Sequence, residues 1–197
     1  TCSSLSNNTW SHLTFVMDRT NNRVYGYLNG VLYANSTTIS VGDFYTPSSP
    51  FLLGIRNSGS SALMNGALDE FRMWNRTLTL SEIQSEVNSS YPITGNGLVL
   101  SYSFESNFTN ATGNYTYDTN NLVAGQINGS FNFNGVNTVV SNSTSATPVL
   151  TNAGTISYWF KWVKKNTGSN SRPVDKNGNY YMEIIEASNR IDCSFQG

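Results

Sequence analysis

The sequence predicts an all-β chain: an antiparallel β-sandwich with one short helix near residues 80–89. Three observations carry that prediction. Roughly ten to twelve short segments alternate apolar and polar residues, the period of half-buried strands. Gly- and Asn-rich turns separate them at regular spacing, which points to a sandwich or barrel, not to strands alternating with helices. Aromatic residues reach 13 % while charged residues reach only 12 %, about half the usual charged share. The polar surface must therefore be built from Asn, Ser, Thr, Gly and Tyr.

A chain of 197 residues suits one large domain or two small ones and can bury a substantial core. The formal net charge of −1 offers no footprint for nucleic acid or an anionic membrane surface. No apolar run approaches the roughly 18 residues of a membrane span, so membrane insertion is not expected. The sequence has neither a starting Met nor a signal-peptide pattern, and it reads as a processed form or an excerpt of something longer.

The elements follow in order. Thr9 to Asp18 alternates, with Leu13, Phe15 and Met17 on one face. Next comes NRVYGYLNGVLYAN, where Asn29-Gly30 sits between two apolar arms. Both central residues of a type I′ hairpin need positive φ, which Asn-Gly supplies. PFLLGIRN is a short strand. NGALDEFRMWN (Asn65 to Asn75) alternates Ala67, Asp69, Phe71 and Met73 against Leu68, Glu70, Arg72 and Trp74, so Asp69 and Glu70 are expected on opposite faces. Thr79 followed by Glu82 fits a capping box, and Leu80, Ile83 and Val87 form the apolar stripe of the helix. Strands resume with GLVLSYSFE. A polar tract from Ser106 to Asn121 reads as loop. SFNFNGVNTVVS, GTISYWFKWVKK and NYYMEIIEASNRIDCSF complete the series.

The segment GALDEFRMWNRTLTLSEI (Gly66 to Ile83) resembles the closing motif of laminin G-like, concanavalin A-like jelly-roll domains. WSHLTFVMD and VYGYLNG resemble the central hairpin of that family; LVLSYSFE, FNFNGVN and GTISYWFK resemble its opening strands. The order is permuted, because the closing strand lies near residue 70 and the opening strand near 98. The resemblance implies a C-terminal half over 1–92, a linker at 93–96 and an N-terminal half over 97–197. The two halves would complete one sandwich, within the chain or between neighbouring repeats. Either half alone would leave open edges and an uncovered apolar face. Exchange between copies would build a head-to-tail filament unless it closed into a ring. The expected function is a structural subunit or tandem repeat of an extracellular filament or adhesin stalk, its partners being copies of itself. The alternative is a carbohydrate-binding, lectin-like module whose partners are cell-surface glycans.

Cys2 and Cys193 flank the seam between the halves, and a disulfide there is expected in an oxidising extracellular setting. Nine N-x-S/T sequons occur, at Asn7, Asn35, Asn75, Asn88, Asn107, Asn110, Asn114, Asn128 and Asn142. Compositional accident and N-linked glycosylation both explain them.

Catalysis has little support. Adjacent strand residues such as Asp69 and Glu70 diverge, whereas a retaining glycosidase needs two carboxyls about 5 Å apart. Glu183 and Glu186 diverge too, and the chain is not expected to be an enzyme. The role expected of Asp69 is to accept hydrogen bonds from loop backbone near the helix start. Glu70 and Arg72 are expected to pair at the surface. His12, the single histidine, lacks a Cys/His/Asp neighbourhood for zinc, and a packing role is expected. The family resemblance implies a calcium site using Asp69, Asn134 and Asn137; Asn supplies a carbonyl oxygen but no charge. Tyr25, Tyr27, Tyr33, Tyr45, Trp159 and Trp162 are the candidate sugar-stacking rings.

Overall fold

The computed structural model describes residues 5–36, 50–56, 62–88, 95–105, 121–142, 150, 152–176 and 180–195. The first half of the chain contributes β1 (Trp10–Asp18), β2 (Arg23–Leu28), β3 (Val31–Ser36), β4 (Phe51–Leu53), β5 (Asn65–Trp74) and the helix α1 (Leu80–Asn88). The second half contributes β6 (Leu98–Tyr102), β7 (Leu122–Ala124), β8 (Gly129–Asn134), β9 (Val140–Asn142), β10 (Ala153–Trp162), β11 (Ser171–Lys176), β12 (Tyr180–Ile185) and β13 (Arg190–Phe195). The fold is all-β and antiparallel with a single short helix among the described residues. Asn29 and Gly30 both take positive φ, at 51° and 75°, as a type I′ hairpin requires. The capping box forms: Glu82 N–H donates to Thr79 Oγ1, and Thr79 N–H donates to Glu82 Oε2.

The strands make two sheets. The eight-stranded sheet runs β3-β2-β1-β10-β5-β8-β7, with β6 also paired to β5; the five-stranded sheet runs β13-β12-β11-β4-β9. The halves interleave in both. Strand β10 lies between β1 and β5, and β4 lies between β11 and β9. Leu13, Phe15, Phe71, Tyr158 and Phe160 from the larger sheet meet Phe51, Val174, Met182 and Ile184 from the smaller one in a single buried cluster. Each such side chain fully buried contributes about 1.5–3 kcal/mol. That core mixes both halves, so neither half keeps its apolar face covered without the other.

Strand β5 departs from simple alternation. Arg72 lies opposite Ser157 and Asp69 opposite Trp159, so two residues of β5, Glu70 and Phe71, face the single Tyr158. Glu70 has φ +51°, the left-handed conformation that a one-residue bulge adopts, at a cost of order 1 kcal/mol for a non-glycine. The bulge shifts the inward set. Leu68, Phe71 and Met73 face the main core, whereas Trp74 packs outside with Val16, Leu78 and Ile83 under α1. The expected split of Asp69 and Glu70 to opposite faces, which assumed an unbroken period of two, does not describe this strand. The bulge has a cause in the topology. β5 pairs with β8 over Asn65–Leu68 and with β6 over Phe71–Trp74. Asp69 and Glu70 sit where one neighbouring strand hands over to the other.

Candidate functional site

The outer face of the five-stranded sheet carries a compact polar group. Tyr180, Met182 and Ile184 point into the core, so Tyr181 and Glu183 point outward. The Arg172 guanidinium lies 3.9 Å from the Tyr181 ring centroid and donates to Asp175 at 2.8 Å and to Glu183 at 3.2 Å. Asp192 stands directly across from Glu183 and pairs with Arg190 at 3.3 Å. Both arginines thus hold acidic partners. The clamped Arg172 fixes Tyr181 in one orientation, an economical way to present a ring.

Beside this face, among the described residues, a cleft of about 410 Å³ lies between β3 at the edge of one sheet and β13 at the edge of the other. Phe15, Val24 and Ile191 line its apolar side, and Tyr33, Tyr181 and Asp192 contribute polar tips. Tyr33 spans the gap: its ring lies over Gly26, where an added Cβ would come within 2.8 Å of Tyr33 Cζ. Its hydroxyl stands 3.9 Å from Cys193 Sγ on the opposite sheet. Cys2 lies outside the described residues, and so does the expected disulfide.

A second polar group is buried under α1. His12 Nε2 lies 3.0 Å from Ser157 Oγ and its Nδ1 lies 3.4 Å from Thr14 Oγ1. The imidazole packs edge-on to Trp159. Burial, reinforced by the nearby Arg72 charge, pushes the His12 pKa down to about 3, so the ring is neutral at any physiological pH. Arg72 donates to Glu86 of α1 at 2.7 Å and is ion-paired with Glu70. The Glu70–Arg72 pair was expected at the surface, yet Arg72 is only 3 % exposed, because the helix folds back over this part of β5.

Asp69 is fully buried. Its Oδ2 accepts 2.9 Å hydrogen bonds from the N–H groups of Gln126 and Ile127. The bonds come from the turn between β7 and β8, not from loop backbone near the helix start as the sequence suggested. Burial, with Glu105 nearby, raises its carboxyl to about 7 against the pull of those two N–H donors and of Arg72. Asn134 and Asn137 lie elsewhere. Asn134 pairs with Asn65, four residues along β5 from Asp69, or roughly 13 Å at the strand rise. Asn134 Oδ1 already accepts the N–H groups of Val136, Asn137 and Thr138, and Asn137 Oδ1 accepts from Asn134 Nδ2. The three residues therefore do not converge on one point, and the two amides serve as loop caps.

Of the candidate stacking rings, Trp162 is in the main core and Trp159 is buried beside His12. Tyr25 and Tyr27 pack against the cluster under α1. Tyr33 lines the cleft, and Tyr45 lies outside the described residues. Glu183 belongs to the outer face, whereas Glu186 is buried and accepts the N–H groups of Lys165 and Asn166. Asn7, Asn35, Asn75, Asn88 and Asn128 are exposed, Asn142 ends β9, and Asn107, Asn110 and Asn114 lie outside the described residues. Arg172, Asp175, Tyr181 and Asp192 had no signal in sequence order, because three different strands bring them together.

Two antiparallel sheets around one core, closed by a capped helix after β5, define a concanavalin A-like sandwich. Residues 1–84 match the laminin G-type family model described as the concanavalin A-like lectin/glucanases superfamily. The match ends inside α1 and spans the closing-strand half of the chain. No curated protein matches the chain. A fold of this kind supports a module of the carbohydrate-binding or adhesion type. Among the described residues no helix is long and apolar enough to cross a membrane.

Proposed function

We propose that this chain is a carbohydrate-binding adhesion module that works outside the cell, and that it holds its sugar on the outer face of the five-stranded sheet at the cleft edge. The observation that carries this reading is the clamped Arg172–Tyr181 pair with Asp175, Glu183 and Asp192 around it, beside a cleft of about 410 Å³. Sugars are recognised by an apolar ring face together with planar hydrogen-bonding groups that grip vicinal hydroxyls. Tyr181, Glu183 and Asp192 are the partly exposed members that supply both parts, while the buried Arg172 and Asp175 hold them in place. Each of these acids is already tied to an arginine, which suits binding better than proton transfer. Chemistry on the sugar is not proposed.

The test is a glycan array followed by calorimetry on any hit, with Tyr181→Ala and Asp192→Ala as variants. Binding in the parent chain and a loss of about tenfold or more in each variant, with unchanged melting, is the expected outcome. Hits that both variants retain at parental affinity would move the site elsewhere, and an empty array would remove the reading.

The second reading is a repeating unit of an extracellular filament. It is favoured by the interleaving of the halves, since a β10 donated by a neighbouring copy would make the same pairings with β1 and β5. Sedimentation and electron microscopy decide it: fibres with a repeat of one sandwich support it, and a monomer at high concentration removes it.

A further inference from the structure

Among the described residues, the eight-stranded sheet ends at β3 on one side and at β7 on the other. Neither strand holds a charged residue or a proline: β3 reads VLYANS and β7 reads LVA. Val31 and Leu32 of β3 are 68 % and 49 % exposed, and Val123 of β7 is 42 % exposed. A one-residue bulge at Tyr33 distorts β3 against β2 but leaves those apolar side chains at the surface. An uncharged, apolar edge strand is a template for pairing with another chain, and proteins commonly blunt it with charge or proline. Strand β13, at an edge of the smaller sheet, follows that rule: Arg190 and Asp192 there are both about half exposed.

At both ends of the large sheet a sequon stands where the charge is missing. Asn35-Ser36-Thr37 begins within β3, and Asn128-Gly129-Ser130 lies at the turn from β7 into β8. Both asparagines are exposed. Asn35 stands directly across from Tyr25 of β2, whose ring packs with the cluster under α1. Directly opposed residues share a face of the sheet, so the Asn35 side chain leaves on the outer side and not toward the core. Arg23 donates to its Oδ1 at 3.3 Å, while the atom that takes a sugar is the amide nitrogen. Asn128 holds φ +53° in its turn. Asn7 and Asn88 lie away from these edges and use their amides locally: Asn7 Oδ1 accepts from Lys164 N–H, and Asn88 Nδ2 donates to the Gln84 carbonyl.

We propose that N-linked glycans on Asn35 and Asn128 cap the two ends of the eight-stranded sheet and keep them from pairing with the edges of other copies. The modification moves an oligosaccharide from a lipid pyrophosphate donor onto the asparagine Nδ2. The anomeric C–O bond to the donor breaks, a C–N bond forms, and the displaced amide proton leaves with the lipid pyrophosphate. A bulky, hydrated branch then does at these edges what Arg190 and Asp192 do at β13, in a chain with only 12 % charged residues. The inference goes beyond the sugar-binding reading and shares with it only export from the cell. Exchange of β10 between copies would leave both edges as they are.

The experiment expresses the full chain in a secretory host that attaches N-glycans. Glycopeptide mass spectrometry should find Asn35 and Asn128 occupied. A double variant, Asn35→Gln with Asn128→Gly, lacks both sequons and keeps the positive φ at position 128, which glycine tolerates. In sedimentation it should shift to larger, concentration-dependent species under conditions where the parent does not. Adding Val31→Lys and Val123→Lys places charge on the same two edges and should restore parental sedimentation. Adding Leu80→Lys and Val136→Lys instead should not, because these exposed residues lie on α1 and between β8 and β9. An unmodified Asn35 or Asn128 overturns the proposal. So does a double variant that sediments like the parent, or one that the lysines away from the edges rescue equally well.

Discussion

Replacing Arg72 with Met should be among the most damaging single changes outside the main core. The guanidinium lies between two carboxylates under α1, 2.7 Å from Glu86 Oε2 and in contact with Glu70, and all three side chains are almost inaccessible. Removing one member of a buried ion pair leaves the other as an uncompensated buried charge, which costs about 3–5 kcal/mol; here two carboxylates are orphaned at once. For a domain of this size 1 kcal/mol corresponds to roughly 2–4 °C, so melting should fall by about 10 °C. Urea unfolding with an unchanged slope and a lowered midpoint is the assay. The internal control is Arg76→Met, whose half-exposed pair with Glu82 contributes at most about 1 kcal/mol. A triple replacement of Glu70, Arg72 and Glu86 by apolar residues should recover most of the loss, because the cost lies in the unpaired charge and not in the absent bond. Arg72→Met that costs no more than Arg76→Met would refute the reasoning, since the cluster could not then be desolvated in solution.

Other outcomes follow from the same geometry. The raised Asp69 carboxyl binds its proton more tightly in the folded than in the unfolded chain. Stability should therefore fall as pH rises from about 4 through about 7, by an amount on the order of 4 kcal/mol, and Asp69→Asn, if it folds, should flatten that slope. Glu82 has the opposite sign: held down to about 2 by Arg76 and by the Thr79 cap, it stabilises above its unfolded value and loses that contribution as pH falls from about 4.5 towards 2. Thr79→Ala should cost about 1 kcal/mol by unmaking the cap, measured by chemical unfolding. Asn134→Ala removes the acceptor of three backbone N–H groups and should cost about 1–2 kcal/mol, measured by chemical unfolding.

The sequence by itself determined most local structure, because local structure depends on neighbours in the chain. Period-two alternation placed Leu13, Phe15 and Met17 in the core, Asn29-Gly30 made its hairpin, and Thr79 with Glu82 capped the single described helix. Only the tertiary structure decided what lies beside each strand. The bulge at Glu70 exists because β5 changes partner there, and strict alternation cannot foresee partners roughly 25 to 70 residues away. The same dependence on tertiary neighbours hid the burial of Arg72 under α1 and the meeting of Arg172, Tyr181 and Asp192. Each joins side chains from separate elements, and nothing in the order of residues records which elements become neighbours once an apolar face has been buried.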